Sequence, residues 1–260
     1  MGDFGNWRAQ NPIPASMPRW SRRWAAGEST KEQLWQLLEE TSAAADRPNG
    51  SVDQLIGDFY GACMDEATVN RLGAEAVASL LSEIRRIRSV AEVQQMIGRF
   101  HRMAIRVPFS LVGESDAHNP VNVIAKVNAS GLGMPDRDYY VKTEPRFQEA
   151  RAKYLAHVAA IFRLAGASEA RAKSAADTVM RMETRLAEAS LDNVALRDPK
   201  ATDHKTSFAD LQKSTPHFQW TAYYRTAGLP TGDVNVAEPR FLGEFGYFAE
   251  TPHAAKERSL

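Results

Sequence analysis

The chain has 260 residues, 32 basic and 32 acidic side chains, 43% hydrophobic residues, 13 Pro and one Cys, a balance that fills a core and covers it with charge. Zero formal net charge excludes general polyanion binding, so no nucleic acid partner is predicted. One cysteine makes no internal disulfide, and no window reaches the ~20 consecutive apolar residues of a membrane-spanning helix, so no transmembrane segment is predicted in this chain. Met1 to Trp7 has neither the basic start nor the apolar stretch of a signal peptide, and the compartment is left open.

From Trp7 to Trp24, Pro12, Pro14 and Pro18 predict an extended segment with aromatic anchors. Thr30 with Gln33, or Ser29 with Glu32, fits a capping box ahead of Leu34, Leu37 and Leu38, which predicts a helix from Thr30 to near Asp46. Further helices are predicted over 52–64, over 74–88 with Val77, Leu80, Leu81, Ile84 and Ile87 on one face, and from a Ser89/Glu92 capping box to about Met103. Residues 105–113 and 121–127 are rich in Val, Ile and Phe and read as two strands or a hairpin. After a turn from Gly131 to Tyr140, helical spacing returns at Leu155, Val158, Ala159 and Phe162, with Gly166 as a stop. A long helix follows from Ser168 to about Leu191. Residues 197–206 read as a loop, Phe208–Lys213 as a short helix, and Phe218–Ala227 as an aromatic helix closed by Gly228 and Pro230. The fold class is mainly α, a multi-helix unit with a small β-hairpin insert.

The chemistry-bearing residues form no local motif, which leaves only a site distributed over distant residues. No two of His101, His118, His157, His204, His217 and His253 share a helical face, so HExxH, which sets two imidazoles and a base around zinc, is absent from the sequence. Asp136 and Asp138 flank Arg137 in a tight turn, where carboxylates usually bond backbone amides or pair with the arginine. Cys63 reads as a small core residue, because no basic or helix N-terminal setting lowers its pKa. Trp7, Trp20, Trp24, Trp35 and the Trp220, Tyr223, Tyr224 group read as core or interface. No GxSxG elbow, P-loop or GxGxxG occurs.

Several blocks carry a family resemblance. Asp58-Phe-Tyr-Gly-Ala-Cys-Met-Asp-Glu66 resembles the "YxxCMDE" block of the neprilysin and endothelin-converting-enzyme family of zinc metallopeptidases. Gly131-Leu-Gly-Met-Pro-Asp-Arg-Asp-Tyr-Tyr140 is similar to its "GLGLPDRDYY". Trp7, Ile13-Pro14 and Arg19-Trp20 resemble the N-terminal "GxW…IP…RW" stretch, Glu183 to Ala187 its "ExxLA", Arg197-Asp198-Pro199 its "RDP", and Phe218 to Trp220 its "FxW". The matches run in family order from residue 3 to about residue 245.

The resemblance implies the family's N-terminal region: a peptidase N-terminal domain over residues 1–250, an atypical end over 251–260, and a helical, non-catalytic lobe that packs against a catalytic zinc lobe and helps enclose the cleft. The expected partner is a peptide substrate, and the expected cofactor is zinc in the full-length parent, with none in this chain. No catalytic residue and no metal ligand is assigned. By the resemblance, Arg19 approaches the primed side of the cleft, where a planar guanidinium suits a peptide carboxylate, but the family's later arginine falls on Gly27. Both termini depart from the family pattern and are expected to be truncated. The alternative is a stand-alone helical module that binds a peptide or a protein without chemistry.

Overall fold

The computed structural model describes residues 3–17, 19–105 and 107–248, so the predicted atypical end at 251–260 lies outside the described residues. Among the described residues are twelve α-helices and four strands, in two compact units divided between Ala76 and Val77.

The N-terminal unit contains α1 (Phe4–Gln10), α2 (Arg22–Ala43), α3 (Val52–Met64) and α4 (Glu66–Leu72), followed by a 3₁₀ turn at Gly73–Val77. The predicted extended entry over Trp7–Trp24 is corrected at its two ends, which are helical, while the described residues from Asn11 to Ser21 carry no helix, as the prolines predict. Trp7 lies inside α1, and α2 starts at Arg22 because the Ser21 hydroxyl accepts from Trp24 N, an N-cap that precedes both predicted boxes. Nothing from Trp24 to Ser29 breaks the helix, so Thr30 is an interior residue whose hydroxyl donates to the Ala26 carbonyl at 2.9 Å. α4 was not predicted, and the predicted 74–88 helix is a 3₁₀ turn plus α5 (Ala78–Arg86). α3 packs on α2 through Gly57, where a Cβ would lie 2.7 Å from the Thr41 carbonyl. Tyr60 donates to Glu39 across the same pair at 2.5 Å. Cys63 is exposed rather than core, and so is Trp35.

In the C-terminal unit, α5 and α6 (Val90–Arg102) precede β1 (Phe109–Asp116) and β2 (Asn119–Ala129). The predicted Ser89/Glu92 capping box is formed in both directions. Next come α7 (Asp138–Val141), α8 (Pro145–Leu164), α9 (Glu169–Ala189), β3 (Lys205–Thr206), α10 (Phe208–Ser214), α11 (Trp220–Ala227), β4 (Val234–Val236) and α12 (Pro239–Phe248). Gly166 and Gly228, both at positive φ, close α8 and α11 as glycines do at helix ends.

The hairpin is part of a four-stranded sheet in the order β1-β2-β4-β3. β1 and β2 are antiparallel, β2 and β4 parallel, β3 and β4 antiparallel. β3 falls in the predicted 197–206 loop, and neither β4 nor α12 was predicted; two- and three-residue strands are too short to show alternation. Against this sheet sits an aromatic core. Phe109, Phe218, Trp220, Tyr223, Tyr224, Phe241 and Phe245 are buried, with Phe218 and Trp220 edge to face at 4.6 Å, the geometry ring quadrupoles favour. The Trp220 indole donates to Thr215 Oγ1 at 2.7 Å. Buried Gln94 of α6 donates to the His217 carbonyl and accepts from Gln219 N, so its amide is satisfied where α6 meets the segment before α11.

Candidate functional site: the Gly131–Tyr140 block

The ten-residue block links β2 to α7. Gly131 has φ +82°, and a Cβ there would sit 3.0 Å from Pro108 Cα, so the position needs glycine for both conformation and space. A Cβ on Gly133 would meet the Tyr154 hydroxyl at 1.9 Å. Asp136 accepts from Asp138 N at 2.8 Å and, through its other oxygen, from the Asn193 amide at 3.0 Å. Asp138 pairs with Lys142 at 2.7 Å, and Arg137 donates to the Ala187 carbonyl at 3.2 Å. Both carboxylates are therefore occupied in turn and pairing duties, as the tight spacing predicts.

The block is fastened to α9 by tyrosine. The Tyr140 hydroxyl accepts from Met134 N at 2.9 Å and donates to Glu183 Oε2 at 2.6 Å, and the Tyr154 hydroxyl donates to Glu183 Oε1 at 3.0 Å. Burial, followed by the Glu183 carboxylate, raises both phenols well above the ordinary tyrosine value. Both stay protonated donors at neutral pH, and each Glu183 oxygen has a partner. The arrangement holds α7, α8 and α9 together and offers no free acid or base.

A cavity of about 300 Å³ lies beside the block, lined in part by Gly131, Asp136, Asn193, Leu196 and Glu238. Glu238 is buried and accepts from Ala129 N at 3.3 Å and Leu191 N at 2.7 Å, closing the ends of β2 and α9 against the chain entering α12. Of the motif residues, the fold brings Gly133, Tyr140, Glu183 and Ala187 together. Phe218 and Trp220 lie in the aromatic core. Asp198 caps its own turn through Lys200 N at 2.9 Å. Tyr154, Asn193 and Glu238 were missed, because each meets the block only through tertiary packing; the single legible sign was Tyr154 one residue before Leu155 on the predicted helix.

Arg19 belongs to the N-terminal unit. It is exposed, and its guanidinium carbon stands 4.9 Å from the centre of the Trp24 ring, within cation–π range. Among the described residues no group of three or more His, Cys, Asp or Glu side chains is placed to hold a metal ion.

The helices, the small sheet and the tyrosine-fastened block define a mainly α N-terminal lobe of a peptidase fold. Residues 5–257 match the N-terminal model of peptidase family M13. The chain belongs to that family. Endothelin-converting enzyme 1 of Bos taurus is 24% identical over 257 residues, covering 95% of this chain and 33% of that protein. The Homo sapiens enzyme is 26% identical over 246 residues, covering 90% and 31%. Among solved structures, zinc metalloprotease ZMP1 of Mycobacterium tuberculosis, in complex with an inhibitor, matches with a TM-score of 0.85 at 25% identity, over 98% of this chain and 39% of that one. PepO of Lactobacillus rhamnosis shares the fold with a TM-score of 0.75 at 18% identity, over 97% of this chain and 40% of that one. The chain spans about a third of the length of the endothelin-converting enzymes it matches.

Proposed function

We propose that this chain is the substrate-enclosing N-terminal part of a neprilysin-like zinc metalloendopeptidase, whose parent activity is hydrolysis of peptide bonds, and that residues 1–250 serve it as one functional domain without hydrolysing peptides alone. The observation that carries this reading is the match of residues 5–257 to an N-terminal family model, in a sequence where HExxH does not occur. Zinc in the parent supplies an activated water and a Lewis acid; this chain's residues shape the space around a peptide. The N-terminal unit supports the same reading. Gly57 is its only buried residue among those described, and Leu34, Trp35, Leu37 and Phe59 are exposed, an apolar surface suited to being covered. Arg19 is the proposed peptide contact: its guanidinium, beside Trp24, receives a terminal carboxylate as a bidentate pair.

The test uses the purified chain with zinc chloride and an internally quenched peptide. The expected outcome is no chelator-sensitive cleavage above buffer, and stoichiometric zinc with turnover that a chelator abolishes overturns the reading. In a binding arm, Arg19→Ala is expected to weaken peptides ending in a free carboxylate about tenfold, with amidated peptides unaffected.

A further inference from the structure

The four-stranded sheet leaves a notch where β2 outruns β4. β2 starts at Asn119, yet its pairing with β4 starts only at Ala125 opposite Val234. The Val127 carbonyl accepts from Ala237 N, so odd-numbered residues in this stretch turn their backbone groups toward the β4 side. Val123, opposite Ser115 and still in register, therefore presents its amide and carbonyl where β4 has not yet begun. No backbone bond from outside the β1–β2 ladder reaches them among the described residues.

The notch is a cavity of about 480 Å³, walled in part by Asp116, Asn122, Val123, Lys205, Tyr224 and Asp233, within the size range of small-ligand and peptide sites. Tyr224 is 2% exposed, and its buried hydroxyl has no hydrogen-bond partner among the described residues. A hydroxyl buried this way is destabilising unless something arrives to bond it. Burial alone pushes Tyr224 up to about 12, so the hydroxyl keeps its proton. Lys205 pairs with Asp116 at 2.7 Å and also feels the charge of the exposed Asp233 carboxylate, so the two acids and one base among these wall residues leave the rim with one net negative charge.

We propose that this notch binds an extended peptide segment carrying a basic side chain, which pairs its backbone with Val123, meets the Tyr224 hydroxyl with a peptide carbonyl, and sets its cation against Asp233. Backbone pairing at a free strand edge gives affinity that tolerates many side chains, and the carboxylate adds the preference for a cation. Every residue of the notch lies in the C-terminal unit, and Arg19 takes no part.

The experiment is fluorescence anisotropy on the whole chain with a labelled Val-Lys-Val-Thr amide, its Glu-for-Lys counterpart, and a version N-methylated along the backbone. The lysine peptide is expected to bind, the glutamate peptide to bind more weakly, and the N-methylated peptide not to bind. Tyr224→Phe weakens the lysine peptide about fivefold, the size of one neutral hydrogen bond. It leaves the thermal midpoint unchanged or raised, because that hydroxyl has no internal bond to lose. Asp233→Asn abolishes the preference for lysine over glutamate. No binding at about 1 mM peptide, equal binding of the N-methylated peptide, or an unaltered affinity in folded Tyr224→Phe overturns the proposal and leaves water as the partner of that hydroxyl.

Discussion

His101 shows how one side chain at the edge of the core records its surroundings. Its Nε2 faces the Val107 carbonyl at 3.1 Å and its Nδ1 the Tyr223 hydroxyl at 2.6 Å. A carbonyl only accepts, so Nε2 carries the proton and Nδ1 accepts from the tyrosine. The neutral ring is then fully bonded, and a second proton would force the Tyr223 hydroxyl to turn. Burial, the largest cause, holds the imidazole below its ordinary value of 6.5. The sign follows: below that value the unfolded chain binds more protons than the folded one, so stability is complete above it and is lost as pH falls toward the folded value. Thermal unfolding followed from pH 7 to about pH 5 is expected to show a falling midpoint. His101→Gln is expected to flatten that decline, and an equal decline in the variant would remove His101 as its source.

Among elements, the tyrosine fastening of α7 carries most of the order around the motif block. α7 is a single turn of four residues, far too short to persist by itself, and it is held because Tyr140 bonds Met134 N on one side and Glu183 of α9 on the other. Tyr140→Phe strips a donor from the carboxylate and an acceptor from a buried amide at once. The expected cost is about 2–3 kcal/mol, read as a lower urea midpoint with an unchanged slope. A loss below about 0.5 kcal/mol would show that packing, rather than this network, holds the block. The block and Glu183 were each legible as motifs; Tyr154, and the bonds that join all three, were not, since Tyr154 and Glu183 lie 14 and 43 residues beyond Tyr140. The same distinction separates the Ser89/Glu92 box, which formed as written because capping is local, from the Thr30 box, which lost to an earlier cap at Ser21.

Across the molecule the two units differ in how much they bury. The C-terminal unit closes a large aromatic core, whereas the described part of the N-terminal unit buries only Gly57 and leaves Leu37 54% and Phe59 75% exposed. Exposed apolar side chains on this scale drive association unless a partner covers them. The isolated chain is therefore expected to bind a hydrophobic dye and to self-associate with concentration in sedimentation velocity. Leu37→Ser with Phe59→Ser is expected to cut both by about half while leaving far-ultraviolet helicity intact. A monodisperse wild-type chain that binds no dye would contradict this.

The amino-acid sequence alone determined the mainly helical class, the β-hairpin, the sharp stops at Gly166 and Gly228, and the family, because periodicity, caps and contiguous motifs act within a few residues of one another. Tertiary structure alone decided the two short strands that complete the sheet, the final helix, the exposure of Cys63 and Trp35, the bonds on Glu183, and the free edge at Val123. Each of these depends on which distant surfaces come to cover a group, and no local spacing encodes that.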